Sequence, residues 1–341
     1  GAVDKDLSFR FSPSVWLGDQ ERGLTWQAES NEDWRYANPE RALEVLPRGK
    51  TTYFRAHLIN VPTKLIAGQT LRYQFALLAT PVKPLLRDSW DLRIVRSDPY
   101  TDDMTNPDLN LPDRWISLNH TKKDRIFSLR VDELNLMEGG PGRIPALQFY
   151  RQAGIRHLWI NASDNWPWPL PFEKQYSSRL RRLINAAHAH DLKIYSYLIH
   201  ERMPTNVPEF DLNGYHMVNQ PIKPYKGTVG FCPKSLAVQD AIVYNFARRL
   251  DEYGDDGVYL DGTAVHMKSC KNLAHGCGYH ARHGAVHITG AVPFDQTDRG
   301  TGDAKGPIHP TYSVFTGRKF LRRIYTVVKQ RRPEGVIDIH S

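Results

Sequence analysis

From residue 125 onward, short apolar runs alternate with longer amphipathic stretches, which limits the chain to few architectures. The runs 126–131, 155–160, 192–199, 257–260 and 335–339 read as strands. Between them, helices are expected at about 143–153, 177–190, 234–253 and 313–331. Gly154 and Gly254 stand where a left-handed cap belongs, and Pro333 where a helix must stop. Repeated strand–helix units build a parallel sheet, closed or doubly wound. The expected class is α/β, a (β/α)8 TIM-type barrel with about five strands in this chain. Five strands do not close eight, so the barrel region, 125–341, is expected to be cut short at its C-terminal end.

Residues 1–115 carry a different pattern. Short alternating runs such as 53–59 and 71–78 are separated by turn residues, the mark of a β-sandwich region, itself expected to be incomplete. The stretch 98–124 is rich in Asp, Asn and Pro, and the linker between the two regions is placed at 116–124.

The most telling short segment is Asp255-Asp256-Gly257-Val258-Tyr259-Leu260-Asp261-Gly262. A helix runs through a tight turn into an apolar strand that stops at a carboxylate. Barrel enzymes present catalytic residues at the C-terminal ends of their strands, which makes Asp261 the leading candidate. A strand-ending Asp can also cap a turn through its side chain. Acid–base chemistry at such an edge commonly engages a second carboxyl group, one acid donating a proton while the other attacks or activates water. Partners for Asp261 are sought in Glu201, just past the third strand, in Glu133, past the first, and in Asp338, within the fifth. His200 and Arg202 flank Glu201, which also suits an ion-paired loop residue.

Other residues in this half suit sugar binding. Trp166 and Trp168 lie beyond the second strand in a proline-rich loop, where aromatic faces can stack on sugar rings. Tyr195 and Tyr197 alternate along the third strand and share a face, while Trp159 is assigned to the core. The long segment 262–290 holds His266, His275, His280, His283 and His287. No recognised ligand spacing joins them, so His266 and His275, with His200, are read as substrate hydrogen-bonders; no metal and no cofactor is expected. Cys270 and Cys277 could close that segment as a disulfide in an exported protein, or remain thiols.

Lys and Arg number 45 against 37 Asp and Glu, a formal net charge of +8. The basic excess points to an anionic partner, and without dense basic tracts a sulfated or uronate-rich glycan suits it better than nucleic acid. No apolar run is long enough to span a membrane. Oligomeric state is not legible.

Several longer blocks resemble the signature segments of a largely uncharacterised glycoside-hydrolase-like family related to the family 123 glycoside hydrolases. They are Trp26-Gln27-Ala28-Glu29-Ser30-Asn31, residues 75–84, 256–262, His275-Gly276-Cys277-Gly278 and 318–325. The resemblance runs from about residue 16 to the end. It implies a β-sandwich followed by a TIM barrel, glycosidase activity on polysaccharides, and export to the periplasm or beyond in bacteria. Family 123 enzymes use an adjacent Asp-Glu pair; here Gly262 follows Asp261, so the substrate-assisted mechanism is not carried over. The pair Asp132-Glu133 lies at the first strand and does not inherit those roles. Two rival functions remain open from sequence: a carbohydrate-binding protein on a barrel scaffold without catalysis, and a metal-dependent hydrolase using the histidine-rich segment.

Overall fold

The structure, a computed structural model, describes residues 4–19, 21–65, 67–82, 94–95, 126–130, 146–152, 156–161, 174–199, 202–205, 207, 210, 228–261, 269–273, 276–280 and 308–339. The N-terminal part holds β1 (Leu7–Phe9), β2 (Ser14–Gly18), β3 (Gly23–Ala28), β4 (Leu43–Arg48), β5 (Thr51–Ala56) and β6 (Phe75–Thr80). These form two antiparallel sheets of three strands, in the orders β1-β4-β5 and β2-β3-β6. Residues of both sheets meet in one aromatic cluster around Phe11, Trp26, Trp34 and Tyr36. Trp26 of β3 lies 5.4 Å, centroid to centroid, from Phe54 of β5, which ties the two sheets together.

The rest of the chain builds a parallel sheet. Its strands are β7 (Ile94–Val95), β8 (Ile126–Arg130), β9 (His157–Asn161), β10 (Lys193–Ile199), β13 (Gly257–Asp261) and β18 (Ile337–Ile339). They lie side by side in chain order, and every neighbouring pair is parallel. Sequential order with a helix between strands is the winding of a barrel wall, and six of its strands are present among the described residues. The sequence suggested about five. The added one, Ile94–Val95, is too short for any periodicity to mark and is placed only by pairing with Ile126 and Phe127.

Four helices cross between strands: α1 (Ala146–Gln152), α2 (Lys174–Ala189), α3 (Leu236–Tyr253) and α4 (Val314–Arg331). Each lies within a few residues of its expected position. Along α3, Val238, Ile242, Phe246 and Leu250 recur every fourth residue and form one buried stripe. Phe320, Ile324 and Val328 do the same on α4, and both stripes meet Val258 and Leu260 of β13 in a single core. Burying each of these side chains stabilises the fold by roughly 1.5–3 kcal/mol. Ser235 caps α3 by accepting from the Val238 N–H, and Gly254 ends it at φ +88°, as the sequence suggested.

Short ladders complete the frame: β11 (Arg202–Pro204) with β12 (Thr228–Gly230), β14 (Ser269–Cys270) with β17 (Thr311–Tyr312), and β15 (Tyr279–His280) with β16 (Ile308–His309). The described parts of the segment after β13 therefore fold back onto the entry to α4. No helix among the described residues is long and apolar enough to cross a membrane.

Candidate functional site

Strand alternation divides β13 into two sets of positions. Val258 and Leu260 belong to the set buried against the helices. Gly257 and Tyr259 belong to the other set, on the face opposite the helix layer, and Asp261 closes the strand. The register extends that face sideways. Tyr259 pairs with Tyr197 on β10 and with Asp338 on β18, while Asp261 pairs with Ile199. Asp261 thus occupies the last position of β13, two residues and about 6–7 Å along the strand from the level of Asp338. At the neighbouring ends of β8 and β9, Arg130 pairs with Asn161. The C-terminal edge of the sheet therefore places a cation, an amide and a carboxylate at three strand ends. Sequence reasoning passed over Arg130 and Asn161, although each sits at or just past the end of a strand it had located.

Below this edge the same face is sealed. Tyr195 is fully buried and Tyr259 nearly so. The Tyr195 hydroxyl lies 2.7 Å from His157 Nδ1 at a stacked ring contact. Burial, with a smaller contribution from the Asp256 charge, pushes the Tyr195 phenol up, so it stays protonated throughout the physiological range. A protonated phenol donates, which leaves His157 Nδ1 as the acceptor.

The two acids that open the segment do other work. Asp256 accepts from the Ile194 N–H and from His188 Nε2, both at 2.8 Å. Asp255 is buried with Arg249 and accepts from Ser196 Oγ at 2.7 Å. Burial pushes the Asp255 carboxyl up, and the Arg249 charge and the Ser196 hydroxyl oppose that. Both acids fasten the turn between α3 and β13 to β10, at the end of the sheet remote from Asp261.

Of the candidates named from sequence, Asp261, Tyr197 and Asp338 stand on adjoining strands, Tyr197 and Asp338 both in register with Tyr259. Glu133, His200, Glu201, Trp166, Trp168, His266 and His275 lie outside the described residues. A shallow depression of about 380 Å³, lined by Val243, Lys319, Arg322, Arg323, Thr326 and Val327, lies between α3 and α4. It belongs to the helix layer and not to the strand ends.

The cysteines differ from the pairing considered above. Cys270 and Cys277 are not joined as a disulfide, and a third cysteine, Cys232, meets them in one buried cluster. Cys232 Sγ and Cys277 Sγ are 3.4 Å apart. A hydrogen bond with Cys270 pulls the Cys232 thiol down, but one with Cys277 and burial outweigh it and leave it pushed up to about 11. Hydrogen bonds with Cys232 and Cys277, and then burial, push Cys270 up as well. Cys232 escaped notice because it stands far from the other two in sequence, beside Pro233 at the approach to α3.

No family model matches the chain. No curated protein matches it either. Among solved structures, the galactosidase domain of an alpha-galactosidase-sucrose kinase overlaps with TM-score 0.36 and 11% identity, over 75% of this chain and 37% of that one. A GH36 alpha-galactosidase from Geobacillus stearothermophilus gives TM-score 0.35 and 11% identity, over 57% and 24%. A maltogenic alpha-amylase from Thermotoga neapolitana gives TM-score 0.32 and 10% identity, over 41% and 39%. This chain spans well under half the length of each. Overlaps of this size identify no family, and none of these structures supports the resemblance to family 123.

Proposed function

We propose that this chain belongs to a glycoside hydrolase in which Asp261 is a catalytic carboxylate. The observation that carries the reading is the position of Asp261, the last residue of a parallel strand, at the edge where barrel enzymes hold their chemistry. The blocks that resemble a glycoside-hydrolase-like family support it. Asp338, two rungs below on the adjoining strand, and Glu201, just past β10, are the candidates for the second carboxyl group. In such a pair one group protonates the departing glycosidic oxygen, and the other attacks the sugar or activates water. The net charge of +8 favours a glycan carrying sulfate or carboxylate groups. Periplasmic or extracellular action belongs to the same proposal.

The test is reducing-sugar release from neutral, amino-sugar, sulfated and uronate-rich polysaccharides, comparing wild type with Asp261→Asn. Asparagine keeps the shape and removes both the charge and the proton. Release should fall by about 10²–10⁴-fold in the variant. Gly262, standing where family 123 has its second acid, favours one rival: a barrel that binds glycans without cleaving them. Retained binding with no release by either protein would establish that rival.

A further inference from the structure

All three cysteines of this 341-residue chain converge on one buried point that the proposed reaction does not use. They come from separate segments: Cys232 shortly before α3, Cys270 in β14, and Cys277 in the turn that leads into β15. Each is at most 2% exposed. Their sulfur atoms all lie within 4.8 Å of one another. We propose that this cluster is a structural metal site that binds a single zinc ion through three thiolates.

The geometry matches the ion. Zinc–sulfur bonds of about 2.3 Å in a tetrahedron set sulfur–sulfur edges near 3.8 Å. Cys232 Sγ and Cys277 Sγ stand 3.4 Å apart and no pair of the three exceeds 4.8 Å, spacings compatible with that edge. One sulfur also receives a backbone donor from its own turn: the Asn272 N–H, two residues after Cys270, donates to Cys270 Sγ at 3.4 Å. Such a donor orients a sulfur ligand and favours its anionic form.

Alternatives fit less well. Three thiols cannot all pair as disulfides, so oxidation would leave one unpaired inside the protein. A purely apolar role for cysteine gives no reason for the only three in the chain to meet at one point. Thiolate sets select zinc, copper(I) or iron–sulfur clusters; zinc is redox-inert and accepts a fourth donor of any kind. No fourth His, Cys, Asp or Glu joins the group among the described residues, so water or a donor elsewhere in the chain completes the shell. The site would pin the segment that follows Asp261 to the start of α3. It is thus a brace between that segment and α3, and its test is independent of whether the chain cleaves glycans.

The full chain, expressed in zinc-replete medium and purified without chelator, should carry about one zinc per molecule by elemental analysis. Exchange for cobalt(II) should give intense thiolate-to-metal charge-transfer absorption. Cys277→Ser should lower zinc affinity by at least about tenfold. Should that variant fail to fold, titration of the wild type with an organomercurial thiol reagent decides the matter, because zinc should leave in step with thiol loss. Zinc-free protein showing three reactive thiols on unfolding would overturn the proposal. A disulfide among the three, or bound zinc that survives complete thiol modification, would do the same.

Discussion

Glu44, the second residue of β4, is a carboxylate with no exposed surface. A lone buried charge would cost several kcal/mol, so its surroundings must supply countercharge. They do: Arg41 reaches it at 2.6 Å, His57 Nε2 at 2.8 Å and Arg55 at 3.2 Å. The hydrogen bond to His57, aided by Arg41, outweighs burial and lowers the Glu44 carboxyl to about 2. A depressed folded pKa means stability that is fully present above the unfolded value of about 4.3. It is lost as pH falls toward about 2. Thermal melting across that window should therefore show a steep acid limb in wild type and a flatter one in Glu44→Gln. At neutral pH the same variant should be less stable by roughly 1.5–3 kcal/mol, the range for hydrogen bonds to a charged group. Gly257 offers a second residue-level test. A Cβ there would sit 2.1 Å from the Val336 carbonyl oxygen and 2.5 Å from the Tyr195 ring. Gly257→Ala should lower stability by about 1–3 kcal/mol or more, read as a drop in Tm, because neither strand can move aside cheaply.

A helix begins with free N–H groups, and α4 solves this at a distance. Ser313, at its N-cap position, makes no side-chain cap hydrogen bond. Glu29, from just beyond β3, accepts from the Phe315 N–H at 2.9 Å, and its main-chain carbonyl accepts from the Tyr312 N–H at 2.8 Å. Its carboxylate also suits the positive end of the helix dipole. Glu29→Ala should cost about 0.5–2 kcal/mol in a chemical unfolding titration, while Glu29→Gln, which keeps an acceptor, should cost less. This cap shows why legibility was uneven. Helices α2, α3 and α4 announce themselves through four-residue spacing, and the longer strands through apolar runs, because those signals are local. The strand Ile94–Val95, the cap from Glu29 and the place of Cys232 in the thiol cluster depend on partners far along the chain. Asp261 could be singled out from sequence because a strand and its terminal acid are contiguous. Arg130 and Asn161 acquire their interest only from register, which no run of residues displays. The block Trp26–Asn31 has a structural role: Trp26 enters the aromatic core, Glu29 caps α4, and Asn31 accepts from the Tyr279 hydroxyl at 2.8 Å.

Those contacts make the two halves one mechanical unit. Tyr312, just before α4, and Val314, its first residue, are buried inside the N-terminal aromatic cluster rather than in the core of the parallel sheet. The Tyr312 ring lies 6.2 Å from Phe11, and its segment pairs with β14, whose Cys270 belongs to the thiol cluster. Lys234, at the approach to α3, reaches Glu29 at 3.8 Å. The N-terminal aromatic cluster therefore includes residues at the start of the last helix, and the strand before that helix pairs with the strand that carries Cys270; the expected linker, 116–124, lies outside the described residues. Shared core residues couple the unfolding of the parts they join. Tyr312→Ala should remove about 3 kcal/mol or more through lost aromatic burial. The loss should appear as one shift of a single transition, with tryptophan fluorescence and far-ultraviolet circular dichroism moving together. If the halves were independent, the fluorescence change from Trp26 and Trp34 would move to lower denaturant while the helical signal kept its midpoint. A split of that kind would show that the contacts at Tyr312 join surfaces without joining stability.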